Sequence, residues 1–247
     1  MINILIPMAG ESIFFDSDEF IYPKQLIEIN GKPMIELVLE NFLKIKEKKR
    51  FIFIVNKMDC DKFHFDSILN LLTENNCKIV KLYSETKGAA CSCLMAIDYI
   101  DNNDNLIISN GDQVIDFDFK SILSYFFTKR YDAGTICFES VHPNWSYIKI
   151  NSMGRIIEVA EKNPISKNAI AGFYYFKRGS YFVKAAMKSI ENNDNINGKF
   201  YIAPTLNELI LENKNLGMFK IESSDYNSFY SPKKIIDYET SNTKNNF

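Results

Sequence analysis

A chain of 247 residues, 46% of them hydrophobic, is long enough to bury one large core. Its 29 basic and 31 acidic residues leave a net charge of −2, which offers no basic surface to a nucleic acid. The five cysteines (Cys60, Cys77, Cys91, Cys93 and Cys137) are odd in number and fit no zinc spacing, so reduced thiols of a cytoplasmic protein are expected. Residues 1–7 are apolar but lack the charged start and cleavage site of a signal peptide, and no apolar run reaches the roughly 20 residues that span a membrane.

In chain order, INILIP reads as a buried strand. MIELVLENFLKIKEK places Ile35, Val38, Leu39 and Phe42 on one helical face. RFIFIVN is a second strand, followed by a helix around FDSILNLLTEN. KIVKLY is a third strand, GAACSCLMAIDYI a third helix, and NLIISNGD a fourth strand ending at Asp112. Near-continuous apolar strands alternating with helices predict an α/β fold, a Rossmann-like doubly wound sheet that is mixed but mostly parallel. After Asp112 the rhythm changes. DAGTICFES, SYIKIN, RIIEVAE and AIAGFYYF read as strands without long helices between them, and NSMGR predicts a hairpin. Helices over 179–192 and 204–212, a strand at GMFKIES and a last helix from Pro232 complete the set. With no internal repeat and no Pro/Gly linker, 1–247 reads as one domain with a first half, 1–118, and a second, 119–247.

In an open parallel sheet, ligands bind beyond the carboxyl ends of the strands. The first strand delivers Ala9 and Gly10 there, the third YSETKGAA and the fourth NGDQ. Ala9 and Gly10 let a backbone approach a ligand closely, although a plain strand-to-loop turn explains them too. Gly88 and Ala89 open the third helix and expose backbone N–H groups, or serve close helix–sheet packing. Asp112 is a hard oxygen donor suited to Mg²⁺, with a loop cap as the rival role. Lys24, behind the stiff Pro23, is either a point charge for phosphate oxygens or a solvated surface lysine.

The segments MINILIPMAG…FIYPKQLIEINGKPMIELVLENF, TKGAACSCLMAI, LIISNGDQVIDFD and SYIKINSMGRIIEVAEKNPISKNAIAGFYYFKRGSYFV appear in an order that resembles the sugar-phosphate nucleotidylyltransferases, or nucleotide-sugar pyrophosphorylases. Within that family the chain is most similar to a divergent bacterial branch serving capsule and lipopolysaccharide biosynthesis. The resemblance implies a reaction in which a sugar phosphate, or a similar phosphorylated small molecule, attacks the α-phosphorus of an NTP. It implies Mg²⁺ as cofactor and no general base, which suits a chain whose two histidines, His64 and His142, read as structural or surface residues. CTP is mildly favoured among the nucleotides, no nucleic-acid or membrane partner is implied, and the oligomeric state is open, a homodimer included.

Carried over residue by residue, the resemblance assigns the nucleotide to the first half, through Met8, Ala9, Gly10, Glu11, Ser12, Thr86, Gly88, Ala89 and Gly111. Lys24 and Asp112 become the catalytic pair, with Asp112 also a metal ligand. The second half receives the acceptor through Ser146, Glu161, Lys162 and Gly172. Glu161 holds sugar hydroxyls and Lys162 the acceptor phosphate. Asp225 is the implied second metal ligand, although the matching position itself falls near Ser228.

The pattern breaks in the first loop. The family reads Ala-Gly-x-Gly-x-Arg, and here Ser12 replaces the glycine and Phe14 the arginine. Losing one phosphate donor of this kind costs on the order of 2–4 kcal/mol in the transition state. Three compensations are open: Glu11 as a Mg²⁺ ligand, Ser12 as a donor to a phosphate, or Lys87 as the stand-in for the arginine. Two rival functions remain: a catalytically degenerate nucleotide- or sugar-phosphate-binding regulator, and a metal-dependent glycosyltransferase using Asp116 to Asp118 as an Asp-x-Asp motif.

Overall fold

The computed structural model describes residues 1–10, 14–15 and 20–244. Strand β1 (Ile2–Pro7) enters the middle of the main sheet. A small ribbon, β2 (Glu28–Ile29) and β3 (Lys32–Pro33), leads into α1 (Met34–Leu43). Next come β4 (Lys49–Asn56), α2 (Lys57–Phe63), α3 (Phe65–Leu72) and β5 (Cys77–Leu82). Helices α4 (Ala89–Leu94) and α5 (Ile97–Ile100) precede β6 (Asn105–Ser109) and β7 (Gln113–Ile115). The second half runs α6 (Phe119–Thr128), β8 (Ala133–Glu139), β9 (Tyr147–Ile150), β10 (Ile156–Ala160) and β11 (Asn168–Phe176). It ends with α7 (Gly179–Glu191), α8 (Thr205–Leu211), β12 (Leu216–Lys220), β13 (Tyr226–Ser228) and α9 (Pro232–Lys244).

The main sheet follows the order β10-β9-β11-β6-β1-β4-β5, with β8 pairing β11 and β12. Strands β1, β4, β5 and β6 are parallel, while β11 is antiparallel to β6, β8 and β9. This is the mixed, largely parallel doubly wound sheet that the strand–helix alternation predicts. Alternate residues of β1 feed its two faces. Ile4 and Ile6 pack with α1, α3 and α6, and Leu5 packs toward α4, α5, α7 and α8. In α1, Met34, Ile35, Val38, Leu39 and Phe42 form the buried stripe of a surface helix. No helix among the described residues is long and apolar enough to cross a membrane.

The helices differ from expectation in three places. His64 adopts φ +53, which ends α2 and starts α3, so one expected helix is preceded by another. The third helix divides at Met95–Ala96 into α4 and α5. Helix α6, absent from the sequence reading, follows Asp118, whose carboxylate accepts from the backbone N–H groups of Lys120 and Ser121 and from the Ser121 hydroxyl. That carboxylate is an N-cap, held below the usual range first by the Ser121 hydrogen bond. The Asp-x-Asp reading of residues 116–118 loses its metal-facing member to this cap.

The switch point that positions a ligand lies where β4 and β6 flank β1 on opposite sides. There β11 makes an irregularity between Ile170 and Tyr174. Gly172 sits in it at φ +56, and its carbonyl accepts from the Asn110 backbone N–H (3.0 Å) and the Gln113 side-chain amide (3.0 Å). A Cβ at Gly172 would meet Gln113 Oε1 at 2.3 Å and Asn110 Nδ2 at 2.4 Å. Gly172→Ala is therefore expected to destabilise the fold by about 2 kcal/mol or more, a drop in Tm of roughly 4–8 °C by calorimetry.

Candidate active site

Two strand tips build the floor of the site. Beyond β1, the Met8 backbone N–H donates to the Ile54 carbonyl of β4 (2.7 Å), which fixes the exit of Ala9 and Gly10. Beyond β6 lie Asn110, Gly111 and Asp112. Gly111 is needed because a Cβ there would meet Met8 Cγ at 2.6 Å. These tips open into a cavity of about 440 Å³. Of the residues that the sequence assigns to nucleotide and catalysis, Met8, Ala9, Gly10, Lys24, Thr86, Gly88, Ala89, Gly111 and Asp112 all line it. Glu11 and Ser12 lie outside the described residues.

Lys24 and Asp112 meet directly, Nζ to Oδ2 at 2.5 Å. Lys24 begins a short 3-10 helix, Lys24–Leu26, right after Pro23, which aims the side chain inward. That side chain is only 9% exposed, its ammonium standing 5.3 Å from the Phe15 ring centroid. A solvated surface lysine is therefore not what the fold makes of it. Asp112 is held from behind, since its carbonyl accepts from the Phe229 backbone N–H (2.8 Å) at the end of β13.

Ser146, Glu161 and Lys162, the residues expected to meet an acceptor, gather at the open end of the β9–β10 hairpin. Ala160 pairs with Tyr147, so Ser146 and Glu161 face each other one step beyond. The Ser146 hydroxyl donates to the Glu161 carboxylate. Burial pushes the Glu161 carboxyl up, opposed by that hydrogen bond and by the Lys162 charge. Tyr174 beneath is raised well above the usual phenol range, by burial first and by the Glu161 charge second. Lys162 takes φ +53 and donates to the Tyr201 hydroxyl (3.1 Å), its ammonium 5.0 Å from that ring's centroid. Tyr201 also lines the cavity that holds Lys24 and Asp112, which links the two sets of residues.

Asp225 does not join Asp112. Its carboxylate accepts from the Glu222 backbone N–H (3.2 Å) in a capping box, and its carbonyl accepts from Asp116. In the β13–β7 ladder Ser228 stands opposite Gln113, while Asp225 stands opposite Asp116, about 10 Å farther along at strand spacing. Phe229 thus occupies the ladder position opposite Asp112, with Ser228 one step before it. Among the described residues no cluster of three or more His, Cys, Asp or Glu side chains forms a metal centre.

The loop substitutions also have a visible outcome. Phe14 is 60% exposed and packs edge-on against Tyr230, with centroids 5.9 Å apart, away from the cavity lining. Lys87 does not line the cavity either. Its carbonyl accepts from the Phe200 N–H (2.7 Å). The Gly88 end of α4 is partly occupied, because Ala90 N–H donates to the Phe200 carbonyl (3.1 Å). Gly88 has φ +109, and a Cβ there would sit 2.4 Å from that same carbonyl. Glu85 and Asn110, which fall in the strand-end stretches YSETKGAA and NGDQ, line the cavity too, whereas Gln25, Ser92, Lys199 and Tyr201 are lining residues that the sequence did not single out. The Gly88 signal was present, but Phe200, whose backbone makes glycine necessary, lies more than a hundred residues away.

A crevice at a β1–β6 switch point, floored by a lysine and an aspartate in ion contact, puts the chain among α/β proteins that hold a small polar ligand at the strand tips. The model of the nucleotidyl transferase family matches residues 20–220, and the chain belongs to that family. It is similar to the nucleoside-diphosphate-sugar pyrophosphorylase of Vibrio cholerae RC9, at 26% identity and TM-score 0.85, covering 96% of this chain and 99% of that one. The inositol-1-phosphate CTP transferase of T. maritima shares the fold at 13% identity and TM-score 0.72, over 94% and 90% of the two chains. A Sulfolobus acidocaldarius protein named "Putative mannose-1-phosphate guanyltransferase" is 26% identical over 181 residues, 72% of this chain. The chain spans about half, 49%, of that relative's length.

Two measurements follow from the geometry. In urea unfolding, Lys24→Ala and Asp112→Ala should each destabilise, and the double variant should lose less than their sum, with a coupling of about 1 kcal/mol. Because the Glu161 carboxyl is raised in the fold, its ionisation opposes folding above the unfolded value near 4.3. Glu161→Gln should thus raise Tm at pH 7, and the gain should shrink as the pH falls toward about 4.

Proposed function

We propose that this protein is a nucleotidyltransferase joining an NTP to a sugar phosphate or similar phosphorylated small molecule, with release of pyrophosphate. One observation carries the reading: Lys24 and Asp112 touch at the floor of a cavity rimmed by Ala9, Gly10 and Gly88. An oxygen of the acceptor phosphate attacks the α-phosphorus. A new P–O bond forms as the bond from the α-phosphorus to the bridging oxygen breaks, and pyrophosphate departs. The attacking oxygen is already anionic, so no base is required, and no histidine lines the cavity among the described residues. The work left to the protein is alignment and charge neutralisation.

Lys24 meets that demand with an ammonium held nearly out of water, where its charge is weakly screened. Ser146 and Glu161 offer paired acceptor groups for sugar hydroxyls, and Lys162 an ammonium for the acceptor phosphate. Asp112 alone is a poor cage for a metal, yet it fits Mg²⁺, which is commonly held by one or two carboxylates with substrate phosphates and water. Bound there, Mg²⁺ supplies charge neutralisation at the triphosphate. With a nucleotide bound, Lys24 would exchange its contact with Asp112 for phosphate oxygens. CTP is the first nucleotide to test, and a cytoplasmic role in capsule or lipopolysaccharide synthesis completes the reading.

The test is pyrophosphate release with Mg²⁺, each common NTP and a panel of phosphorylated acceptors. Release that requires an acceptor is expected, with Lys24→Ala and Asp112→Asn each at least about tenfold slower. Saturable nucleotide binding without release would leave only the regulator, and consumption of a nucleotide sugar would point to glycosyl transfer instead.

A further inference from the structure

Phe14 leaves the cavity without the arginine that the resemblance leads one to expect, and the cations already given roles start from other contacts. Lys24 is paired with Asp112, Lys162 rests on Tyr201, and Lys87 is not in the lining. We propose that Lys199 supplies the missing phosphate-binding cation, an inference that rests on the nucleotidyltransferase reading above.

Lys199 lines the same cavity as Lys24, Gly10, Gly88 and Asp112, and it reaches it from the other half of the chain. It is exposed, and among the described residues no carboxylate stands within ion-pair distance of it. Its charge is therefore available to a ligand.

The backbone that carries Lys199 is fixed. Ile196 and Lys199 exchange both hydrogen bonds across a two-residue turn (3.0 and 3.1 Å). Asn197 and Gly198 fill that turn at φ +52 and +77, the geometry that Asn-Gly favours. The next residue, Phe200, is locked on both sides, by its N–H to the Lys87 carbonyl and by its carbonyl to the Ala90 N–H. The contact that forces glycine at position 88 is thus the contact that holds Lys199 at the cavity. A long side chain on a pinned backbone loses only its own rotamer freedom on meeting a phosphate. The ligand chemistry is a phosphate oxyanion, from either the triphosphate or the acceptor.

Calorimetric titration of wild type, Lys199→Ala and Lys199→Arg decides the matter. The probes are CTP and pyrophosphate with Mg²⁺ for one source, glucose 1-phosphate for the other, and cytidine as a phosphate-free control. Lys199→Ala should weaken at least one phosphate arm by about tenfold or more, with Arg restoring it to within about threefold. Cytidine binding should stay within about twofold and Tm within about 2 °C. Loss in the CTP and pyrophosphate arm assigns the triphosphate, and loss in the glucose 1-phosphate arm assigns the acceptor. Unchanged affinity in both arms, loss shared equally by cytidine, failure of Arg to rescue, or a wild type that binds no phosphate probe would each overturn the proposal. A wild type that binds phosphates but releases no pyrophosphate would sink the transfer reading alone.

Discussion

The contact between Lys24 and Asp112 is the interaction on which the site depends. It joins the segment after β1 to the tip of β6, across the place where the winding of the sheet reverses. Placing two opposite charges there takes them partly out of water, which is tolerable only because each compensates the other. Around it the chain is crowded to the limit. Gly111 lies against Met8, Gly172 against Asn110 and Gln113, and Gly88 against Phe200. Each glycine marks a backbone approach that a methyl group would prevent, and together they hold the two halves of the chain against one cavity.

The parallel core was legible because buried strands are nearly all apolar. INILIP, RFIFIVN, KIVKLY and NLIIS emerge as β1, β4, β5 and β6 with small shifts at their ends. Helix α6 was harder to see. Phe119, Ile122, Leu123 and Phe126 have helical spacing, but aromatic and β-branched residues suit a strand as well, and the Asp118 cap imitates a metal motif. Short α2 escaped for a local reason, a left-handed His64 that no apolar pattern announces.

Within the site, the residues that follow a strand tip could be named in advance. Lys199 and Tyr201 could not, since their place depends on hydrogen bonds between segments near 88 and 200. The same limit applied to Asp225. Its chemistry suits a metal, but the register of β13 against β7 sets it about 10 Å beyond Ser228, and register is a property of two strands together. Among the described residues, Asp112 and Glu85 are the carboxylates in the lining, and Asp225 does not join them.

The support of Asp112 by Phe229 spans more than a hundred residues of chain, and it has a bearing on how the polypeptide is made. Synthesis proceeds from the amino end, and β1 to β6 leave the ribosome long before β13 does. A nascent chain that has reached residue 200 owns most of its parallel strands but no ladder behind Asp112. The backing of Asp112 is therefore a property of the nearly finished molecule, and a translation product cut short before position 229 lacks the Phe229 contact behind that aspartate.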